Sequence, residues 1–257
     1  MQDLPDLRGK TALVTGGSRG VGRGITECLL RAGAKVFICG RRPPETMPAA
    51  GDREAVFLQS DVRDAGQTEE LIRTICDQAG GLDILVNNAG GSPEADAATA
   101  SPRFSEAIIR LNLIAPLNLA QQANAVMQKQ EAGGSIINIA SVSGVRPSPG
   151  TAAYGAAKAG LINLTRSVAV EWAPKVRINA VVAGPILTEQ AALHFGDDAG
   201  VERVARTIPL GRLGRPEDIG DACLWLASGL AGWVSGACIE VHGGGERPAF
   251  LDAAKPK

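Results

Sequence analysis

The stretch TALVTGGSRGVGRGI, Thr11 to Ile25, continued to Cys39 as TECLLRAGAKVFIC, decides the fold. Its first five residues form a short apolar run of the kind a buried strand makes. A glycine-rich turn follows, Gly16-Gly17-Ser18-Arg19-Gly20-Val21-Gly22. An amphipathic helical pattern then runs to about Ala32 and is stopped by Gly33. KVFIC, Lys35 to Cys39, reads as the next strand. Strand, turn, helix and strand in succession make a βαβ unit, and such units build a parallel sheet.

The alternation continues along the chain. AVFLQ (Ala55 to Gln59) is a third strand, followed by a helix from about Ala65 to Gln78, and DILVN ends a fourth at Asn87. A helix from about Ser101 to Lys129 carries Asn112, with Pro116 expected to bend it. SIINIA (Ser135 to Ala140), a helix from about Ala152 to Trp172, VRINAVV (Val176 to Val182), a helix in RPEDIGDACLWLAS (Arg215 to Ser228) and ACIEV (Ala237 to Val241) complete the pattern. The expectation is an α/β chain: one Rossmann-like, doubly wound domain over 1–257, its core at about 7–245 and a tail at 246–257.

Bulk composition narrows the function classes. The 257 residues are 45% hydrophobic and 4% aromatic, which suits small-residue packing of helices on a sheet. A net charge of −1 gives no electrostatic reason to expect nucleic acid or an anionic membrane as partner. Five scattered cysteines without a CxxC pair fit a reducing compartment. The opening MQDLPDLRGK has no apolar core, and no apolar run approaches the roughly 18 residues of a membrane span. A cytoplasmic protein is expected. His194 and His242 are too isolated to argue for a metal site, and none is expected.

The glycine turn is placed to hold a dinucleotide. Gly16, Gly20 and Gly22 allow a tight turn and close approach of a pyrophosphate, while the helix N-terminus offers free N–H groups. The spacing is G-x-x-x-G-x-G, not the literal G-x-G-x-x-G. The tip of the second strand reads Cys39-Gly40-Arg41-Arg42, with no carboxylate to bind a ribose 2′-hydroxyl. Arg41, with Arg19 in the glycine loop, suits a 2′-phosphate instead. NADP(H) is the expected cofactor and NAD(H) is possible.

Chemistry enters with Tyr154, the chain's only tyrosine, and Lys158, four residues on. Residues at i and i+4 share one helix face, so the ammonium can approach the phenol. A neighbouring cation favours the phenolate and lowers the ordinary phenol value of roughly 10. That arrangement suits a general acid/base acting on an alcohol or carbonyl. Ser141, thirteen residues upstream, completes the trio, with Ser143 as its rival.

These motifs together, TGGSRGVG (Thr15 to Gly22), NNAG (Asn87 to Gly90), Asn112, Ser141 and YxxxK (Tyr154 to Lys158), resemble the single-domain short-chain dehydrogenase/reductase family over about Leu7 to Gly245. The resemblance is to the branch of 3-oxoacyl-carrier-protein reductases and tropinone-reductase-like enzymes. It implies a seven-stranded parallel sheet in the order 3-2-1-4-5-6-7. It implies Tyr154 as acid/base, Lys158 lowering its pKa and binding the nicotinamide ribose, Ser141 polarising the carbonyl, and Asn112 holding a relay water. Gly16, Ser18, Arg19, Gly20, Val21 and Gly22 would cradle the cofactor, with Arg41, Asp61 and Val62 at its adenosine end. Asn88, Ala89 and Gly90 would line the cleft; Gly184, Ile186 and Thr188 would hold the carboxamide end. The family's Pro-Gly after the sixth strand is here Ala183-Gly184-Pro185, still a turn.

The resemblance also implies a lid over the substrate between Leu187 and Leu213, with Ala191, Ala192, Leu193 and Phe195 as an apolar wall and Arg146, Pro147 and Pro149 opposite. It implies a homotetramer, with the tail ordered by a neighbouring subunit. The expected reaction is hydride transfer between NADP(H) and a small-molecule secondary alcohol or ketone. Reduction of a 3-oxoacyl group on a carrier protein is an alternative, for which Arg103, Arg110, Arg146 and Arg203 are candidate docking cations. A non-catalytic dinucleotide sensor is a second alternative.

Overall fold

The computed structural model describes residues 5–191 and 195–254. Among these, seven parallel strands form one sheet: β1 (Thr11–Thr15), β2 (Lys35–Gly40), β5 (Val56–Gln59), β6 (Ile84–Asn87), β7 (Gly134–Ser141), β8 (Val176–Ala183) and β9 (Cys238–Val241). Their order is β5-β2-β1-β6-β7-β8-β9, the order expected from the sequence. Every pairing is parallel, with Leu13 opposite Phe37 and Leu85, and Ile137 opposite Val86 and Asn179.

Both faces of such a sheet must be covered, which is why its strands read as continuous apolar runs. One face carries α1 (Gly20–Arg31) and the Pro216–Ala227 helix, with Val14, Ile38, Val86 and Val181 beneath them. The other carries α2 (Ala65–Ala79), α4 (Ala115–Met127) and α5 (Ala152–Trp172), over Leu13, Phe37, Leu85, Ile136 and Ile178. α2 starts where Asp64 accepts from the Gly66 and Gln67 amides and stops at Gly80 in the left-handed region.

Three boundaries differ from expectation for physical reasons. The segment before β5 holds a two-residue antiparallel pair, β3 (Ala49–Ala50) with β4 (Arg53–Glu54), too short to show in a periodicity. The helix expected over about Ser101 to Lys129 is instead α3 (Pro102–Ile109), a π-helical turn (Arg110–Ile114) and then α4. The break therefore centres on Asn112, not on Pro116, which sits harmlessly in the first turn of α4. Pro116 lacks the N–H that a regular helix would offer to the Asn112 carbonyl, so the ladder widens just before it. Ser141 is the last residue of β7, one place beyond the expected end, and opens a 3₁₀ turn at Val142–Gly144.

Candidate active site

The carboxyl ends of β1, β6, β7 and β8 converge where the strand order reverses between β1 and β6, the place where ligands of open α/β sheets bind. The first two ends are stitched together. Thr15 Oγ1 accepts from the Asn88 and Ala89 amides, each at 2.9 Å, and Asn88 Nδ2 donates to the Thr15 carbonyl at 2.9 Å. Gly22 packs so closely on this turn that a Cβ there would lie 2.2 Å from the Gly16 carbonyl oxygen. Gly20 has φ +52°, the left-handed region that side chains avoid.

Helix α1 begins after Arg19 with no side-chain cap and no acidic residue in its first turn. Its free amides and positive dipole end are therefore open to an anion. Arg19, Arg41 and Arg42 are exposed at the same end of the sheet. The Glu189 carboxylate, on an exposed side chain, comes within 3.9 Å of where a Gly20 Cβ would be. Thr188 Cγ2 lies 3.5 Å from that point, so the loop after β8 reaches back to the glycine turn. Asp61 is held by Arg63 through both carboxylate oxygens, at 2.9 and 2.6 Å, which holds its carboxyl below the usual range. Val62 packs on the core beneath. These residues fit a dinucleotide: a diphosphate at the helix end and cations beyond the second strand.

Ser141, Tyr154 and Lys158 come together at the end of β7. The Ser141 hydroxyl sits close enough to the Tyr154 phenol to favour its anion, and accepts from the Ser143 amide at 3.2 Å. Ser141, not Ser143, therefore meets the tyrosine. Lys158 is 3% exposed; its Nζ donates to the Ile139 carbonyl at 2.7 Å and lies 5.5 Å from the centre of the Tyr154 ring. Asn112, fully buried, accepts from the Gly91 amide and donates to the Gly91 and Ile108 carbonyls, all at 2.9 Å. Gly90 lies between them: a Cβ there would be 2.6 Å from Asn112 Oδ1 and 3.4 Å from Lys158 Nζ.

The electrostatics correct one expectation. Burial pushes the Tyr154 phenol above its ordinary 10.0, opposed by the Ser141 hydroxyl beside it. Burial also pushes the Lys158 ammonium down to about 8, and it donates to the Ile139 carbonyl. The pair is placed as expected, but desolvation dominates charge attraction.

Gly184 follows β8, bonded to the Val241 carbonyl at 3.0 Å, and a Cβ there would meet His242 at 2.6 Å. Ile186 bridges Gly214, so the chain that leaves the sheet after β8 returns to it after the Asp198–Thr207 helix. Ala191 is buried, while Ala192 and Leu193 lie outside the described residues, as does His194. The tail is not free: Glu246 pairs with Arg146 at 2.5 Å and the Arg247 amide bonds the Thr207 carbonyl. Arg103, Arg110 and Arg203 are exposed.

Sequence reasoning missed Asn138 and Thr165, which lie buried behind the site. Their partners are 51 and 27 residues away, so no local spacing signals them.

The family model described as enoyl-(acyl carrier protein) reductase matches residues 16–246. The chain is 34% identical to a 3alpha-hydroxysteroid dehydrogenase of Mediterraneibacter gnavus, covering 92% of this chain and 97% of that one. It is 35% identical to a 3-oxoacyl-[acyl-carrier-protein] reductase of Synechocystis, covering 93% and 97%. The structure superposes on ligand-free aldohexose dehydrogenase of Thermoplasma acidophilum with a TM-score of 0.86 at 30% identity, covering 99% of this chain and 98% of that one.

Proposed function

The chain belongs to the short-chain dehydrogenase/reductase family of oxidoreductases, which act on CH–OH and carbonyl groups with NAD(P)(H), and we propose that it interconverts a small secondary alcohol and its ketone with NADP(H). The bound nicotinamide would supply or accept the hydride. Tyr154 would give the proton to the developing alkoxide, or take it from the alcohol, because its phenol lies beside Ser141 at the end of β7 and under the Lys158 ammonium. Ser141 would donate to the substrate oxygen. Lys158 would keep its positive charge beside the phenol and turn to the cofactor's ribose. Asn112 would anchor the backbone at Gly91 and hold the relay water behind Lys158.

The observation that carries this reading is the buried Lys158 ammonium 5.5 Å from the centre of the Tyr154 ring, with Ser141 beside the phenol. The cofactor would lie along Gly16, Ser18, Arg19, Gly20, Val21 and Gly22, past Asn88, Ala89 and Gly90, with Gly184, Ile186 and Thr188 at its carboxamide end. Asp61 and Val62 would flank adenine, Asp61 already oriented by Arg63. Preference for NADP(H) rests on Arg41 and Arg19. We read residues 1–257 as one domain of a cytoplasmic homotetramer.

The test is a screen of NADPH and NADH oxidation over ketones, aldehydes and 3-oxoacyl thioesters, with Arg41→Ala alongside. Ketone turnover is expected, with Arg41→Ala weakening NADPH far more than NADH; no turnover of any carbonyl would overturn the proposal. Preference for thioesters on a carrier protein would favour the second reading, which the Synechocystis relative and the exposed Arg103, Arg110 and Arg203 support.

A further inference from the structure

Behind the site, a directed chain of hydrogen bonds runs through the core. Asn87 Nδ2 donates to Asn138 Oδ1 at 2.9 Å and to the Pro116 carbonyl at 3.2 Å. Asn138 Nδ2 donates to Thr165 Oγ1 at 2.9 Å, and Thr165 Oγ1 donates to the Leu161 carbonyl at 2.8 Å. Asn87, Asn138 and Thr165 are all buried. Each lies in an otherwise apolar layer, among Leu85, Ile136, Ile178 and Val168, where an unpaired amide would be costly.

The chain grips α5 at a defined height. Thr165 sits two helical turns beyond Lys158, on the same face. β7 therefore holds α5 at two points through successive residues: the Asn138 side chain at Thr165 and the Ile139 carbonyl at Lys158. Between them α5 packs on the sheet with Ala157, Leu161 and Ile162, and contacts of that kind do not fix where a helix stops sliding. A hydrogen bond does, because it weakens steeply with misalignment.

We propose that the Asn138–Thr165 hydrogen bond positions the reaction centre: it fixes the register of α5 on β7, and so places the Tyr154 hydroxyl against Ser141 and Lys158 Nζ against Ile139. Asn138 and Thr165 are positioning residues, touching neither substrate nor cofactor. Asn87 extends the same register to β6 and to the start of α4. The inference rests on the reading of Tyr154 as the proton donor, but its structural half does not need that reading.

The test uses Thr165→Val, which keeps the shape and removes the hydroxyl, and Thr165→Ser, which restores it. Tyr154 is the chain's only tyrosine, so isotope-labelled tyrosine gives a single ring-carbon resonance from the cofactor-free protein at neutral pH. Thr165→Val is expected to shift or split that resonance, and Thr165→Ser to return it to the parent position. With NADPH and the panel ketone the parent reduces fastest, kcat should fall by about a hundredfold, the scale of a misplaced reacting group. KM for NADPH should change far less than kcat, since the glycine turn is untouched and only the Lys158 contact to the ribose is displaced. Should Thr165→Val fold poorly, Asn138→Leu/Thr165→Val removes both partners of that bond, leaving Asn87 Nδ2 with the Pro116 carbonyl as its acceptor. A parental resonance and kcat in the folded valine variant would overturn the proposal. A shifted resonance with turnover persisting in Tyr154→Phe would instead overturn the assignment of the proton donor and leave the positioning role standing.

Discussion

Lys158 carries an ammonium into a place where it meets one carbonyl, that of Ile139, and burial lowers it from 10.5 to about 8. Between those values the unfolded chain holds a proton that the folded chain has shed. Stability from this group therefore rises with pH across about 8 to 10.5, and below about 8 the buried charge is a cost. At about 1.36 kcal/mol per unit, the cost is about 3 kcal/mol. Lys158→Met should accordingly be more stable than the parent at neutral pH, by about 1 to 3 kcal/mol, and devoid of turnover. Urea unfolding at neutral pH and near pH 10.5 measures this; the gain should shrink at the higher pH, and an unchanged or lowered midpoint at neutral pH would contradict it. The side chains of this site were legible in the sequence because Tyr154 and Lys158 are four apart on one helix face. Their electrostatics were not, since the depth of burial that raises the phenol depends on how β7 and the 3₁₀ turn close over it.

The elements show where local pattern suffices. α5 spans Ala152–Trp172 as its sequence indicates, because a long helix between clear turn residues leaves little choice. A break near Pro116 was legible from its missing donor, but not its form as a π turn around Asn112, which also depends on side-chain bonds to Gly91 and Ile108. The glycine turn is legible in composition, but its tightness is a tertiary fact, set by the loop after β6. With the Gly16 carbonyl 2.2 Å from where a Gly22 Cβ would be, Gly22→Ala forces backbone to move. We expect it to destabilise the protein by about 2 kcal/mol or more. It should also weaken NADPH binding, read by calorimetry, more than Gly51→Ala, at a glycine with open space around it. Equal affinities would show that the turn does not hold the dinucleotide.

At the scale of the whole molecule, the tail joins two distant segments: Glu246 to Arg146 on the loop after β7, Arg247 to Thr207 at the end of the Asp198–Thr207 helix. An exposed ion pair of this kind contributes little to stability, about 0 to 1 kcal/mol. Beyond it Phe250 is 66% exposed, and elsewhere Val170 and Trp233 stand almost wholly in solvent. Single apolar side chains exposed in this way do not by themselves mark an interface, so the proposed tetramer is tested directly. Removing the residues after Gly245 should shift sedimentation towards smaller species; an unchanged profile would refute a role for the tail in assembly. The account as a whole turns on one group passing a proton at the carboxyl edge of one sheet. Its most direct measurement is turnover of the parent's best ketone by Tyr154→Phe at saturating NADPH. Activity should fall by a factor on the order of a thousand or more, within the span of acid/base catalysis, while NADPH affinity stays near the parent's. Turnover within about tenfold of the parent, too small a loss for a missing acid, would contradict it.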